Sequence, residues 1–311
     1  MKSVRIRAYA KVNLCLDILG PRADGYHELR TIFQTISLHD TLDLEPMPDA
    51  RRRIKNTTQR AAEIELRVIG DSALAGEPGR DNLVYRALDA LHRETRLASG
   101  IRATLTKRIP AGRGLGGGSS DAAAALTGLL RLTGKRVEPA RLAEIASGLG
   151  ADVPFFLHGG RALGVGRGNE IFPLPDIPRK TLLVVSPPDI AVPTPDAYRW
   201  LRRTLTKRPD LTRLMRFCAL CWSTQGDTLS NDFEAAVFPH HPRLAQIKRE
   251  LLRRGAVEAA LAGSGSAVFG IYRNPVHARR AARTFPKDQV FVCSFISRAE
   301  YRRKSLGSDF V

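Results

Sequence analysis

Several things are scarce in this sequence, and each scarcity narrows what the chain can be. Aromatic residues make up only 6% of its 311 residues. Binding single-stranded nucleic acid by base stacking needs aromatics interleaved with basic side chains, and no such strip is present. There are 4 cysteines, Cys15, Cys218, Cys221 and Cys293. Cys218 and Cys221 form a single C-x-x-C with no second pair and no histidines at matching spacing, which argues against a zinc site. They also lack a thioredoxin-like context, so the expectation is reduced thiols in a cytoplasmic protein. No run approaches the ~20 apolar residues of a membrane span, and Met-Lys-Ser-Val-Arg-Ile-Arg at the start has no apolar signal core.

Acidic residues are also short, 31 against 49 Lys and Arg, leaving a net charge of +18. That balance suits a polyanion, or a small anionic ligand drawn in by long-range steering. The longest basic run, Arg51-Arg52-Arg53-Ile54-Lys55 within the segment Arg51–Arg60, is short and sits in a polar stretch that reads as a loop. A basic nucleic-acid-binding protein therefore stays an alternative on charge alone. The length favours two packed domains, and the apolar content of 43% is ordinary for a globular chain.

Glycine is abundant in one place. Ala111 to Ala125 reads AGRGLGGGSSDAAAA. A strand is predicted before it at Ile101–Thr106, and a helix carrying Leu126, Leu129 and Leu130 after it, with Ser119 or Ser120 as N-cap and Asp121 in the first turn. Glycines reach positive φ and let a ligand approach bare N–H groups, and a helix start adds unpaired donors and the positive end of its dipole. A strand, a glycine loop and a helix in this order predict a phosphate site. The Walker A loop is excluded because Gly118 is followed by Ser119 and not by lysine. Gly112-x-Gly114-x-x-Gly117 matches the dinucleotide fingerprint only as any dense glycine run would, with no strand ending in an acid about 20 residues on.

Elsewhere, Val4, Ile6 and Ala8 alternate with polar residues, and after a break the alternation resumes at Val12, Leu14, Leu16 and Ile18. On the other face Lys11 and Asn13 point the same way. Further strands are predicted at Ile32–Leu38, Thr41–Glu45 and Glu63–Ile69, with His39-Asp40 as the break between the first two. Asp81-Asn82 caps a helix, another runs from Pro139 to Gly150, and the Gly- and Pro-rich stretch from Gly159 to Arg179 reads as a domain junction. The second half adds strands at Thr181–Ser186, Ala267–Tyr272 and Gln289–Phe295, and helices at Ala197–Leu205, Pro242–Arg254 and Val276–Thr284. Interspersed strands and helices predict a mixed α and β fold.

PAGRGLGGGSSDAAAAL (Pro110 to Leu126) resembles the phosphate loop of the GHMP kinases, and LAGSGSAVFG (Leu261 to Gly270) resembles their second glycine motif. AYAKVNLCLDILGPRADGYHEL (Ala8 to Leu29), DNLVYRAL (Asp81 to Leu88), GADVPFFL (Gly150 to Leu157), PTPDAYRWL (Pro193 to Leu201) and SNDFE (Ser230 to Glu234) are similar to the branch of that family acting on a cytidine diphosphate derivative of methylerythritol. The resemblance implies a two-domain α+β fold: an ATP-binding N-terminal domain over 1–165, ribosomal-S5-like with a left-handed βαβ crossover, and a ferredoxin-like C-terminal domain over 166–311. It implies ATP-dependent phosphorylation of an alcohol in isoprenoid precursor synthesis by the non-mevalonate route.

The roles it implies are these. Lys11 and Asp152 match the catalytic lysine and aspartate. Pro110, Ala111, Gly112, Arg113, Gly114, Leu115, Gly116, Gly117, Gly118, Ser119 and Ser120 wrap the ATP phosphates, with Mg²⁺ near Ser119 or Ser120. Lys107 and Asn82 lie near the adenosine. Tyr26 and Tyr198 sandwich cytosine, His27 reads its edge, and Asn13 and Thr194 lie along the sugar-alcohol side. A small-molecule acceptor is implied, with no nucleic acid or membrane partner and a monomer or weak homodimer. A homoserine- or mevalonate-type kinase of the same family remains the alternative. Arg113 stands where the family often has a small residue, Ser266 where the second motif is variable, and GVGRGNE (Gly164 to Glu170) is longer than the usual short pattern.

Overall fold

The computed structural model describes residues 3–47, 63–70, 79–97, 99–201, 215, 217, 218, 221 and 229–306. The basic segment Arg51–Arg60 and the end of the helix expected over Ala197–Leu205 lie outside them. β1 (Val4–Pro21) and β2 (His27–Pro46) form a long antiparallel pair at the centre of a seven-stranded sheet. β3 (Ile64–Ile69) and β4 (Ile101–Thr106) run parallel at one side, with α1 (Leu83–Thr95) between them in sequence as a βαβ unit. The Gly- and Pro-rich stretch after Gly159 holds a hairpin, β5 (Arg161–Val165) and β6 (Glu170–Pro173), whose first strand pairs with β2. The short β8 (Ser230–Asn231) pairs parallel with β1.

The expected break at His39-Asp40 does not exist, because β2 runs straight through it. Asp40 is fully buried and stays in the strand by accepting bonds from the Arg108 and Ile109 amides and from Lys107. Polar residues there signal a buried ion cluster, not a turn. The break expected in β1 is a change of register between Tyr9 and Lys11 within one continuous strand. Such a shift exchanges the faces of a strand. Ile6 and Ala8 join the core under the helices, whereas Ala10, Val12 and Leu14 join the core between the two sheets. Lys11 and Asn13 are thereby turned towards the glycine loop.

α2 (Gly117–Thr133), α3 (Pro139–Leu149) and α1 cover one face of this sheet. α2 lies close because Gly128 has no side chain: a Cβ there would come within 2.5 Å of Ile6 and 2.7 Å of Leu44. The opposite face packs on a four-stranded antiparallel sheet of β11 (Gln289–Ser294), β7 (Thr181–Ser186), β10 (Val268–Tyr272) and β9 (Glu258–Leu261), in that order. Helices at Phe233–His240, Pro242–Arg253 and Pro275–Ala282, with α5 (Thr194–Leu201), cover the far side of the second sheet. No described helix is long and apolar enough to cross a membrane.

Candidate active site

The loop from Pro110 to Gly116 joins β4 to α2, and it is shaped by positive φ at Gly112 (66°), Gly114 (77°) and Gly116 (72°). Two of these also have no space for a side chain. A Cβ on Gly114 would sit 1.8 Å from the Ala262 carbonyl oxygen, and one on Gly116 would meet Phe156 at 2.9 Å and Lys11 at 3.0 Å. The N-cap is Gly116, in the left-handed conformation and without a side-chain cap bond. The expected caps Ser119 and Ser120 therefore fall inside the helix, and Asp121 lies beyond its first turn. An N-cap with no side chain leaves the first amides of α2 uncovered, which is the arrangement that suits a ligand anion.

Two cavities meet at this loop. One of about 370 Å³ is lined by Pro110 to Ser119, Asn82, Lys107 and Asp121. The other, about 540 Å³, is lined by Lys11, Asn13, Thr31, Tyr26, Arg167, Asp152, Thr194, Tyr198 and the second glycine turn Gly263–Gly265. Both sizes are ordinary for small-molecule sites. Gly112, Gly114, Gly116 and Ser119 line both. Whatever the loop amides grip is thus accessible from either side.

Lys11 and Asp152 face each other in the larger cavity. Lys11 Nζ lies 3.2 Å from Asp152 Oδ2 and donates to Asn13 Oδ1 at 2.8 Å. The lysine side chain is 5% exposed and the aspartate 31%. Asp152 stands at the N-cap position of α4 (Val153–His158), yet its carboxylate makes no capping bond and is left for Lys11 and the cavity. Asn13 is held in turn, donating to Thr31 Oγ1 at 2.7 Å, while Thr31 donates to the Cys15 carbonyl. This chain of bonds fixes the ammonium from beneath.

Lys107 is placed differently. It lines the smaller cavity, but its ammonium is buried between Asp40 and Asp121, 2.7 Å from the latter. Burial works against the ammonium, and the two carboxylates outweigh it, so its pKa rises. Burial likewise pushes Asp121 up, to about 8, with Asp40 adding repulsion and Lys107 opposing. Asn82 caps α1 through the Val84 amide and lines the same cavity. Ser119 lines both cavities; Ser120 is buried and lines neither.

At the far end of the larger cavity the aromatic residues divide. Tyr26 is exposed, with the Arg167 guanidinium 4.7 Å from its ring centre. Tyr198 stacks instead on His27, centres 4.7 Å apart and planes at 22°. His27 is buried behind it and does not line the cavity. Burial, with the Asp152 charge second, raises the Tyr198 phenol to about 12, so it stays neutral. Thr194 reaches Ser264 at 3.0 Å across the cavity wall.

Several contributors lie outside the sequence-based expectation. Asn231 donates to the Leu261 and Gly263 carbonyls at 2.8 and 2.7 Å and so shapes the second glycine turn. Asp40 and Asp121 anchor the loop from behind, and Arg167 covers Tyr26. Asn231 lies in the quoted SNDFE motif, so a signal existed; Asp40 was hidden by its turn-like neighbour His39. Among the described residues no group of three or more His, Cys, Asp or Glu is placed to hold a metal, and all four cysteines are free thiols.

Comparison with known proteins agrees with this geometry. The profile described as the GHMP kinases N terminal domain matches residues 82–160, and that of the GHMP kinases C terminal matches 203–289. A protein of Solibacter usitatus named 4-diphosphocytidyl-2-C-methyl-D-erythritol kinase is 45% identical over 97% of this chain and 91% of its own length. A crystal structure of 4-(cytidine 5'-diphospho)-2C-methyl-D-erythritol kinase superposes with a TM-score of 0.76 at 35% identity, covering 94% of this chain and 99% of that one. A homoserine kinase from Cytophaga hutchinsonii shares the fold, with a TM-score of 0.67 at 18% identity over 96% of this chain and 95% of its own. The chain therefore belongs to the GHMP kinases, and within them to the 4-diphosphocytidyl-2-C-methyl-D-erythritol kinase family.

Proposed function

We propose that this protein transfers the terminal phosphoryl group of ATP to the 2-hydroxyl of 4-diphosphocytidyl-2-C-methyl-D-erythritol. The observation that carries the reading is the Lys11–Asp152 pair, 3.2 Å apart, facing the backbone loop that lines both cavities. In this reading the smaller cavity holds the nucleotide and the larger one the acceptor. Phosphoryl transfer needs placement and charge compensation more than covalent help from the protein.

Asp152 accepts the proton of the attacking hydroxyl. The bond from that oxygen to the γ-phosphorus forms as the bond to the β–γ bridging oxygen breaks, and ADP departs. Lys11 holds the hydroxyl against Asp152 and offsets the charge on the transferred group. Bare amides at Gly114 to Gly118 receive the phosphates. Mg²⁺ would enter with ATP, and Ser119, which lines both cavities, is the residue whose hydroxyl would hold it. Bound there, it would neutralise phosphate charge. Tyr26 and Tyr198 flank the acceptor's base, with Asn13 and Thr194 along its sugar alcohol. His27 supports Tyr198 by stacking, and Lys107 supports the loop from behind. A division at 165/166 would fall inside the β5–β6 hairpin and leave β6 and β8 of the first sheet in the second half, so the proposed nucleotide-holding half takes in those two strands as well. A small-molecule partnership without nucleic acid also belongs to this proposal.

An ADP-release assay tests it. Turnover is expected with the cytidine substrate and not with homoserine or mevalonate, which carry no base for Tyr26 and Tyr198 to hold. Preference for either of the latter refutes the acceptor assignment.

A further inference from the structure

Arg113 lies in the phosphate loop and Ser266 in the second glycine motif, 153 positions apart. The fold brings these two residues together. Arg113 Nη1 donates to Ser266 Oγ at 2.9 Å, and Nη2 to the Pro188 carbonyl at 3.0 Å. Ser266, fully buried, donates onward to the Ile190 carbonyl at 2.6 Å. The backbones interlock beside them: the Ala267 amide donates to the Arg113 carbonyl, and Gly114 lies against the Ala262 carbonyl. Pro188 and Ile190 lead directly into Ala191–Thr194, a wall of the larger cavity.

We infer that Arg113 is a positioning residue that fastens the phosphate loop to the wall of the acceptor cavity, and so sets the distance between the donor phosphate and the acceptor hydroxyl. The guanidinium is committed to two protein oxygens in different segments, which only a planar fork satisfies together. Phosphoryl transfer is sensitive to such spacing, since a misplacement of about 1 Å costs on the order of 10²-fold in rate. This rests on the proposed function, in which the loop holds ATP.

The test is steady-state kinetics of the enzyme, at saturating ATP with the cytidine substrate varied, together with Tm. Arg113→Ala is expected to lower kcat by roughly 10- to 100-fold with the acceptor KM within about twofold of the parent. Ser266→Ala should act in the same direction, and the double variant should fall no further than the worse single one, because both remove one connection. Arg113→Lys should stay slow, since one ammonium does not reproduce the fork. Parent-like kcat in Arg113→Lys would mean that charge alone matters and overturns the inference. A lowered Tm with parent kcat in Arg113→Ala would make the contact a mere structural clasp and overturns it equally. An inactive parent removes the proposed function and this inference together, whereas an active parent with unchanged Arg113→Ala removes the inference alone.

Discussion

Two buried lysines flank the same glycine loop, and they have opposite fates. Lys107 lies behind it between Asp40 and Asp121, whose side chains are 0% and 4% exposed. Lys11 lies in front, paired with Asp152, whose carboxylate is 31% exposed and opens on a cavity. Both are lysine–aspartate contacts buried on the cationic side. The difference lies in the carboxylates. Those around Lys107 are enclosed: Asp40 accepts from the Arg108 and Ile109 amides and from the ammonium, and Asp121 accepts from the ammonium, so the cluster ties β2, the end of β4 and α2 together. Asp152 makes no cap bond and keeps a face open to a substrate. Accessibility of the partner acid, more than the presence of the pair, is what distinguishes the two contacts.

The comparison breaks most sharply at Asp152. Asp152→Asn is expected to lower kcat by about 10²- to 10⁴-fold, the range of a lost general base, while calorimetric titration finds binding of a non-hydrolysable ATP analogue nearly unchanged. Loss of analogue binding, or of the fold, would make this pair structural like the other. Lys107→Ala should act in the reverse way. Removing one partner of a buried ion cluster costs about 3–5 kcal/mol, so urea unfolding should shift to a markedly lower midpoint. An unshifted midpoint would strip the triad of its structural role.

The smallest effect sharpens the same contrast through pH. Burial raises Asp121 to about 8 in the folded protein, above its ordinary carboxylate value. Such a group binds its proton more tightly folded than unfolded. Its contribution to stability is therefore complete below the unfolded value near 4 and fades as pH rises through about 8. Asp121→Asn, which titrates in neither state, should flatten the fall in urea-unfolding stability between those limits. A parent whose stability rises steadily over that window, with the variant following it, contradicts the enclosed-acid picture.

Legibility in the sequence followed the range of the interactions. α1 and α3 begin where Asn82 and Pro139 said they would, since caps and first-turn prolines act within a few residues. The glycine loop was legible for the same reason. Its cap is less legible: Ser119 and Ser120 satisfy the local rule, whereas the close approach of Gly114 to Ala262 and of Gly116 to Phe156 and Lys11 sets the turn earlier. The continuity of β2 is not legible locally, because His39-Asp40 looks like a turn until the distant Lys107 is brought to Asp40. The Lys11–Asn13 contact was readable from strand alternation, but its direction depended on the bulge after Tyr9. Residues 159–179, read as a junction, hold a strand that pairs with β2 and a partner hairpin arm.

By itself the sequence determined where helices such as α1 and α3 begin, the glycine loop between β4 and α2 and, by resemblance, the family, because propensity, capping and glycine's freedom act on neighbours. Only the tertiary structure decided which lysine faces a cavity, that His27 backs Tyr198, and that Arg113 reaches Ser266. Those outcomes depend on burial and on contacts between residues far apart in the chain, and neither is encoded at any single position.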